Sequence, residues 1–238
     1  MDKAELDLRT GIITACRAMN SLGINQGTSG NISARYGDRM LITPTGVPYD
    51  ELNPEDIMST AIDGDGSQWQ GPLKPSSEWR FHLAIMQHRP DFGGIVHTHS
   101  IYATVLAICN KPLPGVHYMV AASGGRDIRV APYATYGTQE LSDNALKAME
   151  GRNCCLLSNH GVIAGGSNVK KALWLASEVE TLAKQYYLSL SIGGARILPD
   201  AELDKVVAQF KAYGPRAKPA VAAQAAKTKT PASKSKRK

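Results

Sequence analysis

Four kinds of feature are scarce or missing in this chain of 238 residues. Aromatic residues make up only 6%. There are four cysteines, Cys16, Cys109, Cys154 and Cys155. Their spacing fits no zinc-binding pattern, so they read as reduced thiols rather than metal ligands or a disulfide framework. No run of 18 apolar residues occurs, which excludes a spanning helix. The first ten residues, MDKAELDLRT, are polar and acidic, unlike a secretory leader. We therefore expect a cytoplasmic protein with no membrane partner. Neither the dinucleotide-binding glycine fingerprint nor a Walker loop is present.

The positive charge is also confined. The net charge of +6 comes from 27 basic and 21 acidic residues. Eight of those basic residues, and no acid, fall in residues 215–238, leaving a net −2 over residues 1–214. The tail is rich in Ala, Lys, Pro and Ser, with one Val and no aromatic. It has too little apolar surface to offset its ordering entropy. We expect two regions, a folded catalytic domain over 1–214 and a disordered basic tail over 215–238. A core without a basic face gives no reason to expect nucleic-acid contact.

Composition over 1–214 is that of a globular protein, with 43% apolar and 20% charged residues in the whole chain. Apolar periodicity predicts helices over 4–22, 76–89, 101–110, 138–149, 168–191 and 200–212. Strands are predicted at 32–36, 40–43, 56–62, 93–100, 128–132 and 154–164, the last interrupted at Asn159-His160-Gly161. Interleaved strands and helices imply an α/β fold with a sheet covered on both faces.

Six histidines offer the clearest chemistry. His97 and His99 lie two apart in a predicted strand, so both imidazoles share a face and can reach one ion. His160, at the break in another strand, is a candidate third ligand for a site with an open position. A pair of buried, hydrogen-bonded histidines explains the same spacing. His82 and His88 read as ordinary helix residues. Glu78 is placed in the first turn of a helix, either complementing the dipole or acting as a base beside a metal. Ser76 and Ser77 open that helix and offer an anion site. Gly27-Thr28-Ser29-Gly30-Asn31 and Thr43-Pro44-Thr45-Gly46 are further loops suited to a phosphate.

The segments QGTSGNIS, LITPTG, PSSEWRFH, GIVHTHS, HYMVAASGG, APYATYGTQEL and LSNHGVIA, in this order, resemble the class II aldolase/adducin-head family, most closely its fuculose-phosphate aldolase branch. The resemblance spans residues 1–214. It implies an α/β/α layered domain with a mixed, mostly antiparallel sheet. It implies a homotetramer with active sites between subunits, zinc (or Mn²⁺ or Co²⁺) on His97, His99 and His160, and Glu78 as acid/base and possible fourth ligand. It further implies a phosphate held by Thr28, Asn31, Thr45, Gly46, Ser76 and Ser77. Tyr118 would come from a neighbouring subunit as proton donor, and Tyr213 from a C-terminal segment closing over the substrate.

The implied reaction is reversible cleavage of a ketose 1-phosphate, L-fuculose 1-phosphate or a similar deoxypentulose 1-phosphate, to dihydroxyacetone phosphate and an aldehyde through a zinc-stabilised enediolate. Thr98 and Asn159 flank the histidines where the family varies, and the metal is expected to be kept. Related enzymes with the same metal chemistry include L-ribulose-5-phosphate 4-epimerases and methylthioribulose-1-phosphate aldolases or dehydratases. The epimerases carry an aspartate in the segment that reads HYMVAA here, and this chain has no acid there. A non-catalytic adducin-head module would not need the three histidines and Glu78.

Overall fold

The computed structural model describes residues 1–211. Tyr213 and the basic tail 215–238 lie outside the described residues. In chain order the elements are α1 (Lys3–Ser21), β1 (Asn31–Tyr36), β2 (Arg39–Ile42), β3 (Met58–Ala61), α2 (Trp79–His88), β4 (Gly94–Thr98), α3 (Ile101–Ile108), β5 (Val130–Ala131), α4 (Gln139–Ala148), β6 (Cys154–Leu157), β7 (Gly161–Gly166), α5 (Val169–Leu190) and α6 (Asp200–Lys211). Short 3-10 turns cover Pro54–Asp56 and Tyr118–Ser123. No described helix is long and apolar enough to cross a membrane.

The seven strands form one sheet in the order β3-β2-β1-β4-β7-β6-β5. Every pairing is antiparallel except β5 with β6. This is the mixed, mostly antiparallel sheet expected for an α/β layered fold. Strand β4 lies at its centre, and all five of its residues are buried. A strand covered on both faces needs apolar residues on both, which is why Gly-Ile-Val lacks alternation.

The side chains of β4 then divide between two cores. Val96 packs with Ile13, Met19, Val162 and Val179 under α1, α3 and α5. Ile95 packs with Phe81, Ile85, Leu141 and Ile163 under α2 and α4. Cys154 and Cys155 divide between the same two cores, as strand alternation requires. Each fully buried side chain of this kind contributes about 1.5–3 kcal/mol.

Helix ends follow local chemistry. The side chains of Asp2, Thr138 and Asn168 each accept from a backbone N–H three residues on, capping α1, α4 and α5.

Two local expectations need correction. The stretch 154–164 is two strands joined by a three-residue hairpin loop, not one interrupted strand. Asn159 makes that turn possible by adopting φ 53°, a left-handed conformation that asparagine tolerates. Helix α2 begins at Trp79, so Glu78 precedes its first turn. Its carboxylate makes no capping bond, because it is directed at the histidines instead.

Candidate metal centre

The hairpin loop carries His160 to the end of β4, where His97 and His99 project. Two glycines permit the approach. A Cβ on Gly161 would lie 2.5 Å from the Thr98 carbonyl oxygen and 2.8 Å from the His99 ring. A Cβ on Gly30 would lie 2.6 Å from the His97 carbonyl oxygen, so only glycine lets the loop before β1 close against β4.

One donor atom from each of Glu78, His97, His99 and His160 falls within 4.8 Å of the others. His97 Nδ1 donates to the Val162 carbonyl oxygen at 2.9 Å. In a neutral ring this leaves the lone pair on Nε2, and that atom lies 3.0 Å from His99 Nε2 and 3.2 Å from Glu78 Oε2. His160 Nε2 stands 3.0 Å from Glu78 Oε1. The latter oxygen is buried but accepts no aligned hydrogen bond.

Burial pulls His99 down to about 4, aided by His97 and His160, so it is neutral at pH 7. Burial pushes the Glu78 carboxyl up, but the neighbouring His97 and His160 imidazoles outweigh it and hold the group well below the usual carboxylate range. Three imidazole nitrogens and a carboxylate converge, with one oxygen unsatisfied and one imidazole oriented by a backbone carbonyl. That donor set fits a divalent cation of the zinc type.

In front of the cluster is a cleft of about 410 Å³. Thr28, Ser29, Thr45, Gly46, Ser77, Tyr133, Tyr136 and Asn159 line it. Glu78, His99 and His160 line it as well. Of the residues singled out from the sequence, Thr28, Thr45, Gly46, Ser77, Glu78, His99 and His160 therefore line one cavity.

Four others do not line it. His97 is fully buried behind the cluster. Asn31 spends its amide on Glu78 and His82. Ser76 is buried, and its hydroxyl accepts from the Glu78 N–H at 3.3 Å. Tyr118 is 52% exposed and is not part of the lining.

Sequence reasoning passed over Tyr133 and Tyr136, which are 60% and 64% exposed. Two tyrosines in a short Pro- and Gly-bounded loop, APYATYG, were the available signal. A larger groove of about 1050 Å³ lies at the other end of β7, beside Arg89, Lys170, Lys171 and Trp174. Among the described residues it has no carboxylate or imidazole in its lining.

Residues 10–187 match the model of the class II aldolase and adducin N-terminal domain. A 5-methylthioribulose-1-phosphate/5-deoxyribulose-1-phosphate aldolase of Rhodospirillum rubrum is 52% identical over 217 residues, covering 91% of this chain and 97% of the relative. An L-fuculose phosphate aldolase of Escherichia coli K12 is 50% identical over 206 residues, covering 86% and 94%. Among solved structures, an L-fuculose 1-phosphate aldolase superposes with a TM-score of 0.83 at 42% identity, covering 86% of this chain and 96% of the other.

Proposed function

The chain belongs to the class II aldolase and adducin N-terminal domain family and is a class II aldolase, a lyase; on that premise we propose that it cleaves a ketose 1-phosphate reversibly to dihydroxyacetone phosphate and an aldehyde. The observation that carries the proposal is the convergence of three imidazoles and Glu78, of which Glu78, His99 and His160 line a cleft that hydroxyls and a glycine turn also line. A wall of hydroxyls and glycine suits a phosphate, and the imidazoles and carboxylate suit the carbon skeleton next to it.

His97, His99 and His160 would hold zinc, or Mn²⁺ or Co²⁺, with Glu78 beside them. When bound, the ion supplies Lewis-acid stabilisation of the negative charge that cleavage leaves on the phosphate-bearing fragment. The chain's own residues do the rest. Thr28, Thr45, Gly46 and Ser77 bind the phosphate, with Asn31 and Ser76 supporting that wall from behind. In the synthetic direction Glu78 Oε1 takes the proton alpha to the carbonyl. The Tyr118 hydroxyl gives a proton to the aldehyde oxygen as the carbon–carbon bond forms. In cleavage both transfers run backwards.

Tyr118 stands half exposed outside its own chain's cleft, which suits delivery to the site of a neighbouring copy. We infer a homotetramer with sites between subunits because the family resemblance implies one, and the exposure of Tyr118 supports that reading. Tyr133 and Tyr136 face the aldehyde end. They are the residues to vary in separating 5-deoxyribulose or 5-methylthioribulose 1-phosphate from L-fuculose 1-phosphate. The catalytic unit is taken as residues 1–214, with Tyr213 at its end and 215–238 dispensable.

The test is release of dihydroxyacetone phosphate, coupled to glycerol-phosphate dehydrogenase. Each candidate ketose 1-phosphate is supplied with and without a chelator, to the full chain and to a chain ending before Pro215. Chelator-sensitive release from both chains is expected, and the ratio of kcat/KM values names the substrate. No release from any of them overturns the aldolase reading.

A further inference from the structure

Glu78 is attached, on the side away from the cleft, to a buried polar chain that the reaction above does not use. His82, one turn into α2, is fully enclosed. Its ring stacks on Phe81 at 4.7 Å. Both of its nitrogens are engaged. Nδ1 lies 2.7 Å from Ser33 Oγ on β1, and Nε2 lies 2.5 Å from Asn31 Oδ1 at the start of the same strand. Asn31 Nδ2 then donates to Glu78 Oε2 at 2.9 Å. The order is Ser33, His82, Asn31, Glu78.

The polarity of this chain follows from the donors available. A carboxamide oxygen carries no proton, so His82 Nε2 donates to it. Burial holds His82 down at about 3, so its ring is neutral and has a single N–H. Nδ1 therefore accepts from the Ser33 hydroxyl. With its oxygen committed to His82, Asn31 must turn its NH₂ towards Glu78. The opposite amide orientation would set carbonyl oxygen against carboxylate. That contact is repulsive in an enclosed site, where it costs most, and the ring tautomer that donates from Nε2 matches the amide with its NH₂ towards Glu78. The two oxygens of Glu78 are thereby made unequal. Oε2 is tethered, whereas Oε1 accepts no aligned bond and faces the His160 side of the cluster.

We propose that His82 is a positioning residue: it fixes the orientation of the Asn31 amide, which anchors Glu78 Oε2 and leaves Oε1 for proton transfer. The inference rests on the reading of Glu78 as the acid/base.

Two substitutions separate positioning from packing. His82→Leu refills the space without a donor, and His82→Gln keeps an N–H near the place of Nε2. The expected result for His82→Leu is a kcat lower by ~10- to 100-fold, the range for losing an outer partner of a metal-site residue, with KM within about 2-fold and metal content unchanged. His82→Gln recovers most of that loss. In a Glu78→Gln background, His82→Leu costs nothing further, because both act through one carboxylate.

A readout without substrate accompanies these. In protein with ¹⁵N-labelled histidine, His82 shows a slowly exchanging Nε2 proton that shifts on Asn31→Leu. If His82→Leu does not fold, Ser33→Ala takes its place and is expected to lower kcat with KM unchanged. A wild-type kcat in the variant read, a glutamine no better than leucine, or additive losses with Glu78→Gln would overturn the proposal. A wild-type protein that cleaves no ketose 1-phosphate overturns the aldolase reading instead, and the Nε2 proton then judges the hydrogen-bond chain alone.

Discussion

The two ends of the β4–β7 strand pair hold cavities of opposite character. At the Gly161 end the cleft is about 410 Å³ and gathers every titratable group of the candidate site except the buried His97. At the Gly166 end the groove is about 1050 Å³, and its polar lining is lysine, arginine, asparagine and serine. The larger space is the less reactive one. Its lysines, Lys170 and Lys171, are exposed. The smaller cleft brings imidazoles and a carboxylate together with one buried oxygen unsatisfied. An unsatisfied donor set marks a reactive site better than volume does.

The contrast can be broken or sharpened by experiment. The largest effect is expected from His97→Ala, which should remove bound metal and aldolase activity together. Metal analysis beside the coupled assay checks this, and an active, metal-free variant would erase the distinction between the two ends. Next comes Glu78→Gln, which should retain metal but lose ~10²-fold or more in kcat, as for a general base. Full activity would remove the carboxylate from its role. Tyr118→Phe should lower the cleavage rate about 10²-fold while inhibition by inorganic phosphate stays constant.

A smaller and different effect comes from acid. The folded chain keeps His82 near 3 and His99 near 4, whereas an unfolded chain protonates histidine near 6.5. The unfolded state then binds more protons, so metal-free protein should lose stability as pH falls from about 6.5 towards 4. The slope approaches ~1.4 kcal/mol per pH unit for His82 alone. Urea midpoints at pH 7 and pH 5 measure it, and equal midpoints would contradict the buried, neutral imidazoles. The smallest effect belongs to the other end: Lys171→Ala should leave kcat/KM within about 2-fold. A large loss there would give the groove a function it lacks the chemistry to explain.

How much of this could be read without coordinates depended on distance along the chain. The His97–His99 pair was legible because two residues of strand return to the same face. His160 was marked by its place at a strand break, although the break proved to be a hairpin that needs Asn159 in a left-handed conformation. Glu78 was legible as a carboxylate beside serines. Its exit from the helix was not, since propensity allows Glu in a first turn and only the histidines draw it away. Asn31 looked like part of a phosphate loop. Its actual partners lie at positions 78 and 82, and no local pattern carries that information. His82 was read as an ordinary helix residue for the same reason.

The four donors come from the chain at positions 78, 97, 99 and 160, and the last reaches the others only after β7 has paired with β4. An unfolded chain cannot present this set, because closing a loop of that length costs entropy before any bond forms. An ion that needs all four therefore recognises only the finished sheet. By mass action it adds to folding stability, about 4 kcal/mol at a thousandfold excess over its dissociation constant. Metal supply would then set how long each molecule survives as well as how fast it turns over, and starvation for the ion should appear first as shortened protein lifetime.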